Sequence, residues 1–373
     1  MGFLVTGLLA SGFPLSLNGQ AFSYTTGMKL RAEYTDNVFL NSDEESDAIF
    51  FITPVVNMSR NGGLFEVKVE AGAEFQEFAD LSSNNSTNPF ASIRGFYNNQ
   101  PLGASAVIDY ETISEANTFV GTFLQTENLL LRGGLSYRFS SITRINTLVY
   151  YETIEPKTSK FNDRQIWTID NRVLYRYSRD LGLVVGIRYR RSEVTSTTIG
   201  TGTPNNSEDI TLTAEAEGQL AATLEGEVEA GIQQRSFENA EENDGLRPFL
   251  SLDLIWTINS LTRFELVSDF DYTTTVSNLS AFSFGTSGTL YHSFTEQLEV
   301  NAGVGFEDIS FIATTRNREQ REDTQWDLFG GLSYQLTDWG SIGAQLGYAK
   351  HNSNEDFFTY DVFRSTISAS ATF

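Results

Sequence analysis

The sequence predicts an all-β fold, a transmembrane antiparallel up-and-down β-barrel of about eighteen strands. Three observations predict it: apolar and polar residues alternate, tight turns alternate with longer loops, and aromatic residues stand at both ends of strands. Mean hydropathy is −0.23, and after residue 21 no apolar run approaches the roughly 18 residues of a membrane helix. Barrel strands are this polar because only every second residue faces lipid.

Strict period-two alternation is clearest from Phe65 to Gln76, where apolar residues on one face oppose mostly charged residues on the other. The pattern recurs at residues 212–217, 224–232 and 298–304. Alternation of this kind is typical of a strand with one apolar and one polar face.

The connections alternate between short and long. Tight turns are predicted near Asn61, Asn99, Ser140, Arg179, Ala221, Asn259, Thr295 and Thr337. The longer polar loops include 41–47, 81–88, 156–163, 200–208, 237–245, 314–323 and 351–357. Eight turns and nine loops require eighteen strands, or sixteen if one hairpin is merged. Outer-membrane barrels have short periplasmic turns, longer external loops and an even strand number, so the expected location is the bacterial outer membrane.

Aromatic residues on the apolar face are predicted to mark the two membrane interfaces. They are Trp167, Tyr175, Tyr177, Trp256, Trp326 and Tyr334. Rings at the strand ends, with aliphatic residues between, are what two interfaces select.

Residues 1–21 are predicted to be a secretory signal peptide, with cleavage after Ala21, although no basic residue precedes Lys29. The alternative is a short buried N-terminal segment. Residues 22–373 then form a single barrel domain. The terminal Phe373 resembles the signal read by the barrel-assembly machinery, but Ala371 stands where a second aromatic residue is usual.

Composition excludes several classes of function. The chain has no cysteine and 2 histidines, which removes disulfides and thiolate nucleophiles and leaves little histidine chemistry. A formal charge of −23 argues against nucleic-acid binding. The expected partners are outer-membrane lipids and lipopolysaccharide, which divalent cations can bridge to acidic loops. No cofactor and no metal motif is predicted.

The segment from Tyr34 to Phe39, followed by Ser46-Asp47 and Pro54, resembles a known family. It is similar to the opening of the "Putative β-barrel porin type 2" family, whose first external loop carries a Y-x-D-N-hydrophobic stretch. The resemblance implies an outer-membrane barrel, and some similar eighteen-stranded barrels serve exopolysaccharide export. It brings no catalytic residues.

The polar face is predicted to line a hydrated lumen. Its acidic residues are Glu66, Glu70, Glu74, Glu215, Glu217, Glu225, Glu227, Glu229, Asp269 and Asp271. Its basic residues, on the sixth to ninth strands, are Arg132, Arg138, Arg172, Arg176, Arg188 and Arg190. One wall is therefore basic and its neighbour acidic.

The turns predict which of these charges face each other. Glu217 is expected opposite Glu227, Glu215 opposite Glu229, and Arg172 roughly opposite Arg188. Like charges directly opposite are destabilising, although a water-filled lumen would screen them. Three interpretations stay open: salt bridges from Arg188 and Arg190 to Glu217 and Glu215, a transverse field across an open pore, and a cation held between the glutamates.

Two loops and the two histidines are the remaining candidates for chemistry. The acidic loop 43–47 is expected to be solvated, with Ca²⁺ binding as the alternative, and the mixed-charge segment 316–323 is also expected to be solvated. His351 is placed at the start of an external loop near Glu355 and Asp356, where an Asp-His pair is the only enzymatic candidate. His292 falls on the apolar face as an interfacial residue.

The leading functional hypothesis is a channel that passes hydrophilic solutes or exports a polymer such as exopolysaccharide, the latter with a periplasmic polysaccharide-export protein. General porins fold one long loop inward, and no external loop here much exceeds about fifteen residues. The sequence therefore predicts a wide, unconstricted lumen, and an inward-folded segment would count against polymer export. The alternatives are a structural or adhesive barrel with a closed lumen and, last, a barrel hydrolase.

Overall fold

The computed structural model describes residues 16–17, 20–158, 160–195, 206–238, 244–275, 280–312 and 320–373. It is a closed barrel of eighteen antiparallel strands in which the last strand pairs with the first. The prediction of eighteen strands is confirmed, and the alternative of sixteen is wrong. Most of the predicted signal peptide lies outside the described residues; within it, Ser16–Leu17 pairs with Gln20–Ala21.

The barrel strands are numbered β1 to β18 in chain order. They span Ser23–Thr35, Asp47–Asn61, Phe65–Phe78, Ser86–Asn99, Leu102–Asn117, Thr122–Arg138, Thr143–Pro156, Asp163–Arg176, Leu181–Thr195, Ser207–Ala221, Leu224–Phe237, Gly245–Asn259, Thr262–Thr274, Ser280–Ser293, Leu298–Ile312, Glu322–Thr337, Gly340–Ser353 and Tyr360–Thr372. Two short 3₁₀ helices, Ser82–Asn84 and Asp356–Phe358, lie in longer connections. None of the described helices is long and apolar enough to cross a membrane.

Side chains alternate between the two surfaces of the wall. On β9, Leu183, Val185 and Ile187 are exposed on the outside, whereas Val184 points inward and is 4% exposed. The outer surface also carries the aromatic residues expected at the interfaces. Trp167, Tyr175, Tyr177, Trp256 and Trp326 are exposed, and Tyr334 is partly exposed and donates to Gln297 Oε1 at 3.0 Å.

The two ends of the barrel differ. All eight predicted tight turns lie at one end, here called the turn end, and the opposite ends of the strands, where the longer connections begin, form the loop end. The chain terminus lies at the turn end, where Phe373 exchanges backbone hydrogen bonds with Thr26 and its ring stacks on Trp339 at 5.7 Å. The buried apolar clusters lie at the loop end, so the lumen is filled by packed side chains there.

Candidate functional site

The connection between β5 and β6 leaves the barrel wall. Pairing of β4 with β5 stops at Phe90 and Glu111, and pairing of β6 with β7 begins only at Thr126 and Pro156. Residues 112–125, here called the inserted hairpin, take part only in the pairing between β5 and β6 and pair with neither β4 nor β7. Prolines lie at both points of departure, Pro89 on β4 and Pro156 on β7, and proline has no N–H to donate to a neighbouring strand.

The inserted hairpin turns into the lumen. Ser114 lies on the face of β5 that points outward lower in the wall, where Ile108 is exposed. Yet Ser114 is buried, and its Oγ donates to Oδ1 of Asn88 at 2.7 Å, on the inner face of β4. The outer face of the hairpin therefore packs against the inside of the wall.

The tip of the hairpin reaches the opposite wall. Phe119 meets Phe311 of β15 edge-to-face, with ring centroids 6.0 Å apart. Arg321, just before β16, donates from Nη1 to the carbonyl oxygen of Phe119 at 2.9 Å. Strands β6 and β15 stand nine places apart in a ring of eighteen. The hairpin thus spans the loop end along a diameter.

The β1–β2 connection packs beside the hairpin. Asn37 is fully buried, and Asn41 Nδ2 donates to the carbonyl oxygen of Gly121 at 2.9 Å. Val38 belongs to an apolar cluster with Phe78, whose ring meets Phe123 of the hairpin. The predicted unconstricted lumen is therefore wrong at the loop end. The obstruction is made of strand ends rather than a long loop, so loop length did not reveal it.

A cavity of about 720 Å³ lies between the hairpin and the wall. Lys29, Arg31 and Arg364 line it from β1 and β18, and Glu111 and Glu115 line it from β5. Glu33 and Glu74 line it on the same side as these bases, and Arg31 lies 3.5 Å from Glu33 and 3.7 Å from Glu74. The wall side of the cavity therefore carries charges of both signs, and the hairpin side is acidic.

A network of ion pairs lies on the inner face of β8 to β11. Arg172 donates from Nη1 to Glu215 Oε2 at 2.8 Å and from Nε to Asp170 Oδ2 at 3.1 Å. Arg188 donates from Nε to Asp170 Oδ2 at 3.2 Å and from Nη2 to Glu229 Oε1 at 3.5 Å. Each of these charges is thus compensated within the wall.

A second network crosses the lumen near the loop end. Asp209 accepts from Arg235 Nε at 2.5 Å and from Arg190 Nε at 2.7 Å. Arg190 also reaches Asp271 of β13 at 3.2 Å, four strands away. The Arg235 guanidinium lies 4.3 Å from the centre of the Tyr272 ring. Strand β13 has left β12 by this point, since their pairing ends at Phe270.

The predicted salt bridges from Arg188 and Arg190 to Glu217 and Glu215 are wrong. The register of β9 and β10 places Asp209 opposite Arg190 and moves both glutamates toward the turn end. A long connection joins these two strands, so no tight turn sets their register. Arg172 and Arg188 are also two residues out of the predicted pairing, because the turn before β9 contains four residues, 177–180.

Glutamates do face each other across β10 and β11. Glu217 lies opposite Glu227, and Glu215 lies opposite Glu229. The carboxylates of Glu215, Glu217 and Glu227 come within 4.8 Å of one another, a spacing that a hard cation could bridge. Glu215 is already bound by Arg172. Glu217 and Glu227 have no ion pair or hydrogen bond within the described chain.

The other predicted lumen charges are spread around the ring. Glu66 binds Lys68 at 2.7 Å, and Glu74 lies 3.7 Å from Arg31. Strand pairing places the remaining positions as follows: Glu70 opposite Ser92, Arg132 opposite Tyr150, Arg138 opposite Arg144, Glu225 opposite Gln219, and Asp269 opposite Gly285. Arg176 ends β8 at the turn end.

The loop predictions were partly wrong. Residues 42–46 are exposed, but Asp47 is buried and accepts from the backbone N–H of Leu81 at 2.7 Å. Residues 316–319 lie outside the described part of the chain; Arg321 and Asp323 are buried and paired. Asp47, Arg321 and Asp323 are buried because the inserted hairpin and the β1–β2 connection close the loop end around them.

His351 is not at the start of an exposed loop. It lies within β17, is 1% exposed, and its Nε2 is 3.5 Å from Asp323 rather than near Asp356. Its Nδ1 contacts the carbonyl oxygen of Phe358 at 2.6 Å, and its ring stacks on Tyr360. His292 lies near the turn end beside Phe294, with Nδ1 2.9 Å from Thr262 Oγ1.

Sequence reasoning missed several inward charges, among them Lys29, Arg31, Glu111, Asp209 and Arg235. The same period-two parity that found the other charges identifies these, once each strand is aligned with its exposed apolar residues. The signal for the inserted hairpin was subtler. Strands β5 and β6 have 16 and 17 residues, whereas the adjacent β4 and β7 have 14 each. Pro89 on β4 and Pro156 on β7 flank them in the sequence.

Comparison with known proteins supports the fold. The family model described as "Putative beta-barrel porin 2" matches residues 145–372. No curated protein matches the chain in sequence.

Solved structures share the barrel at low identity. The outer membrane protein OpdK from Pseudomonas aeruginosa has a TM-score of 0.54 and 10% identity, over 94% of this chain and 99% of that one. The siderophore receptor PirA from Acinetobacter baumannii has a TM-score of 0.52 and 7% identity, over 93% and 80%. For the FrpB iron transporter (F3-3 variant) from Neisseria meningitidis the TM-score is 0.51 and the identity 9%, over 87% of this chain, which spans 62% of that one.

Proposed function

Because this chain belongs to the "Putative beta-barrel porin 2" family, we propose that it forms an outer-membrane diffusion channel for small hydrophilic solutes, constricted by the inserted hairpin. The observation that carries the proposal is the passage of residues 112–125 from the wall to Phe311 and Arg321 on the far side. An eighteen-stranded barrel is otherwise wide enough for an aqueous channel.

The hairpin also sets a limit on the size of the solute. A polymer would have to pass beside a tip that is bonded to the opposite wall and packed by the β1–β2 connection. Polymer export is therefore disfavoured, and with it the periplasmic export protein that would accompany it. Small solutes fit the cavity of about 720 Å³ beside the hairpin.

The charges around this cavity supply a basis for selectivity. Glu111 and Glu115 on the hairpin side face a space shared with Lys29 and Arg364. Acidic and basic side chains that line a narrow space together favour polar solutes over apolar ones. The proposed cargo is therefore polar or zwitterionic rather than apolar.

Planar-bilayer recording of refolded, heat-modifiable protein tests the proposal. The wild type is compared with a variant in which residues 114–125 are replaced by Asn-Gly, a pair suited to a tight hairpin turn between the paired residues Ile113 and Thr126. We expect a small, steady conductance from the wild type and one several-fold larger from the variant. A folded wild type that conducts nothing would overturn the proposal.

A second candidate is a structural barrel with a closed lumen. Three apolar clusters seal the hairpin and the β1–β2 connection against the walls at the loop end, which favours it. The same recording separates the two functions, because a closed barrel conducts only after the hairpin is removed.

A further inference from the structure

We propose that Arg138 and Arg144, with Arg176 as a neighbouring positive charge, form a binding site at the turn end of the lumen for an oxyanion, the carboxylate or phosphate group of a small solute. Arg138 and Arg144 are directly opposed across β6 and β7. Arg144 lies opposite Leu174 on β8, so Arg176, two residues further along the same face, is its diagonal neighbour. Directly opposed side chains have Cβ atoms about 5 Å apart.

These three arginines lack the partners that their neighbours have. Arg172, Arg188 and Arg190 each bind at least two carboxylates. Within the described ranges, no carboxylate oxygen lies within 4.0 Å of a guanidinium nitrogen of Arg138, Arg144 or Arg176. In this they differ from the arginines of the two ion-pair networks.

Arg144 also has an unsatisfied buried donor. Its Nε is buried and makes no hydrogen bond with any described residue. A buried N–H of a charged group without an acceptor is costly. The guanidinium fork of arginine matches the two oxygens of a carboxylate or phosphate, so an oxyanion would satisfy it.

The surroundings form a space that a small solute can enter. A cavity of about 550 Å³ is lined by Arg138 and Arg144 together with Ser136 and Asn146, which can donate further hydrogen bonds. One carboxylate, Glu66, also lines it, and this group is held by Lys68 at 2.7 Å. The balance of charge left for a ligand is positive.

Repulsion between the opposed guanidinium groups of Arg138 and Arg144 favours the binding of an anion between them. Like charges directly opposite on a sheet are destabilising. An oxyanion between Arg138 and Arg144 removes that repulsion and supplies the acceptor that Nε of Arg144 lacks. The site faces the end of the barrel that is periplasmic by the rule for outer-membrane barrels.

Isothermal titration calorimetry on the refolded full chain at low ionic strength tests the site directly, with inorganic phosphate in one arm and succinate in the other. Because binding is measured without current, a negative result is distinguishable from failure of the proposed channel function. We expect saturable binding of at least one probe near one equivalent, and the arm that binds identifies the oxyanion.

Matched variants decide whether the cluster is responsible. R144Q and R138Q should weaken binding at least tenfold, and R144K, which keeps the charge but loses the fork, should weaken it by a smaller factor. R179Q removes a charge from the 95% exposed Arg179 side chain at the same end and should change binding less than twofold. Absence of saturable binding in both arms, or an equal loss in R179Q, would overturn the proposal.

Discussion

Asp209 shows at the residue scale how this barrel tolerates buried charge. Its carboxylate is 1% exposed and is shared by Arg190 and Arg235, which approach from β9 and β11. Charges taken out of water are stable only when paired and hydrogen-bonded. Asp209 is therefore the carboxylate that compensates Arg235 among the described residues, and it shares Arg190 with Asp271.

Replacing Asp209 with asparagine should lower the free energy of unfolding by about 3–5 kcal/mol, because the buried Arg235 loses its counter-ion and Arg190 keeps only Asp271. The measurement is reversible urea unfolding in lipid or detergent. The control is Asp180→Asn, which removes a carboxylate from an exposed turn pair at 4.0 Å and should cost at most about 1 kcal/mol. Equal effects of the two changes would contradict the buried role.

At the scale of the element, the inserted hairpin is held both at its base and at its tip. It joins the wall through β5 and β6, and its tip is fixed by Arg321, whose guanidinium donates to Phe119 and lies 3.4 Å from the centre of the Phe358 ring. An unanchored hairpin would lose these contacts and move within the lumen. The position of the hairpin thus depends on its contacts with Arg321 and Phe311 of the far wall as well as on its own sequence.

Arg321→Ala should therefore release the tip. We expect single-channel current that is larger on average and visibly noisier than that of the wild type, because the tip no longer keeps one position. Asn354→Ala is the control: Asn354 binds Gln320 and Glu322 in the same connection but does not touch the hairpin. If the two variants gave the same traces, the effect would belong to the connection and not to the hairpin.

At the scale of the whole molecule, the outer surface must match a hydrocarbon layer and the inner surface water. Val185 is 66% exposed on the outer face, whereas Ser333 lies on the inner face of β16. Val185→Arg should lower the free energy of unfolding in lipid vesicles by about 2–4 kcal/mol if the position is near the bilayer midplane. Ser333→Arg should leave it nearly unchanged, and the opposite ranking would reverse the assignment of the faces.

The lumen as a whole carries an uneven field. Arginines dominate the inner face of β6 to β9, and unpaired Glu217 and Glu227 stand beside them on β10 and β11. Fixed charges that lack partners act on passing ions, while paired charges largely cancel. The unpaired glutamates should therefore contribute to a preference for cations.

The double variant E217Q/E227Q should reduce that preference, seen as a smaller reversal potential in a KCl gradient. The reduction should be larger at 0.1 M than at 1 M salt, since the Debye length falls from about 10 to about 3 Å. E155Q/E208Q, two positions of outward parity on β7 and β10, is the matched control. If E155Q/E208Q changed the reversal potential as much as E217Q/E227Q, the cation preference would come from charge on the outer surface and not from Glu217 and Glu227.

The sequence by itself determined the strand number, the two ends of the barrel and the face on which each residue lies, because period-two alternation and turn residues are local properties. It also predicted that Glu217 faces Glu227, since only a short turn, with one register shift between Gln219 and Ala221, separates the two strands. It did not determine the partners of Arg188 and Arg190, which depend on strands joined by a long connection. Only the tertiary structure decided that residues 112–125 leave the wall, because that departure is fixed by contacts with β4, β15 and Arg321, far away in the chain.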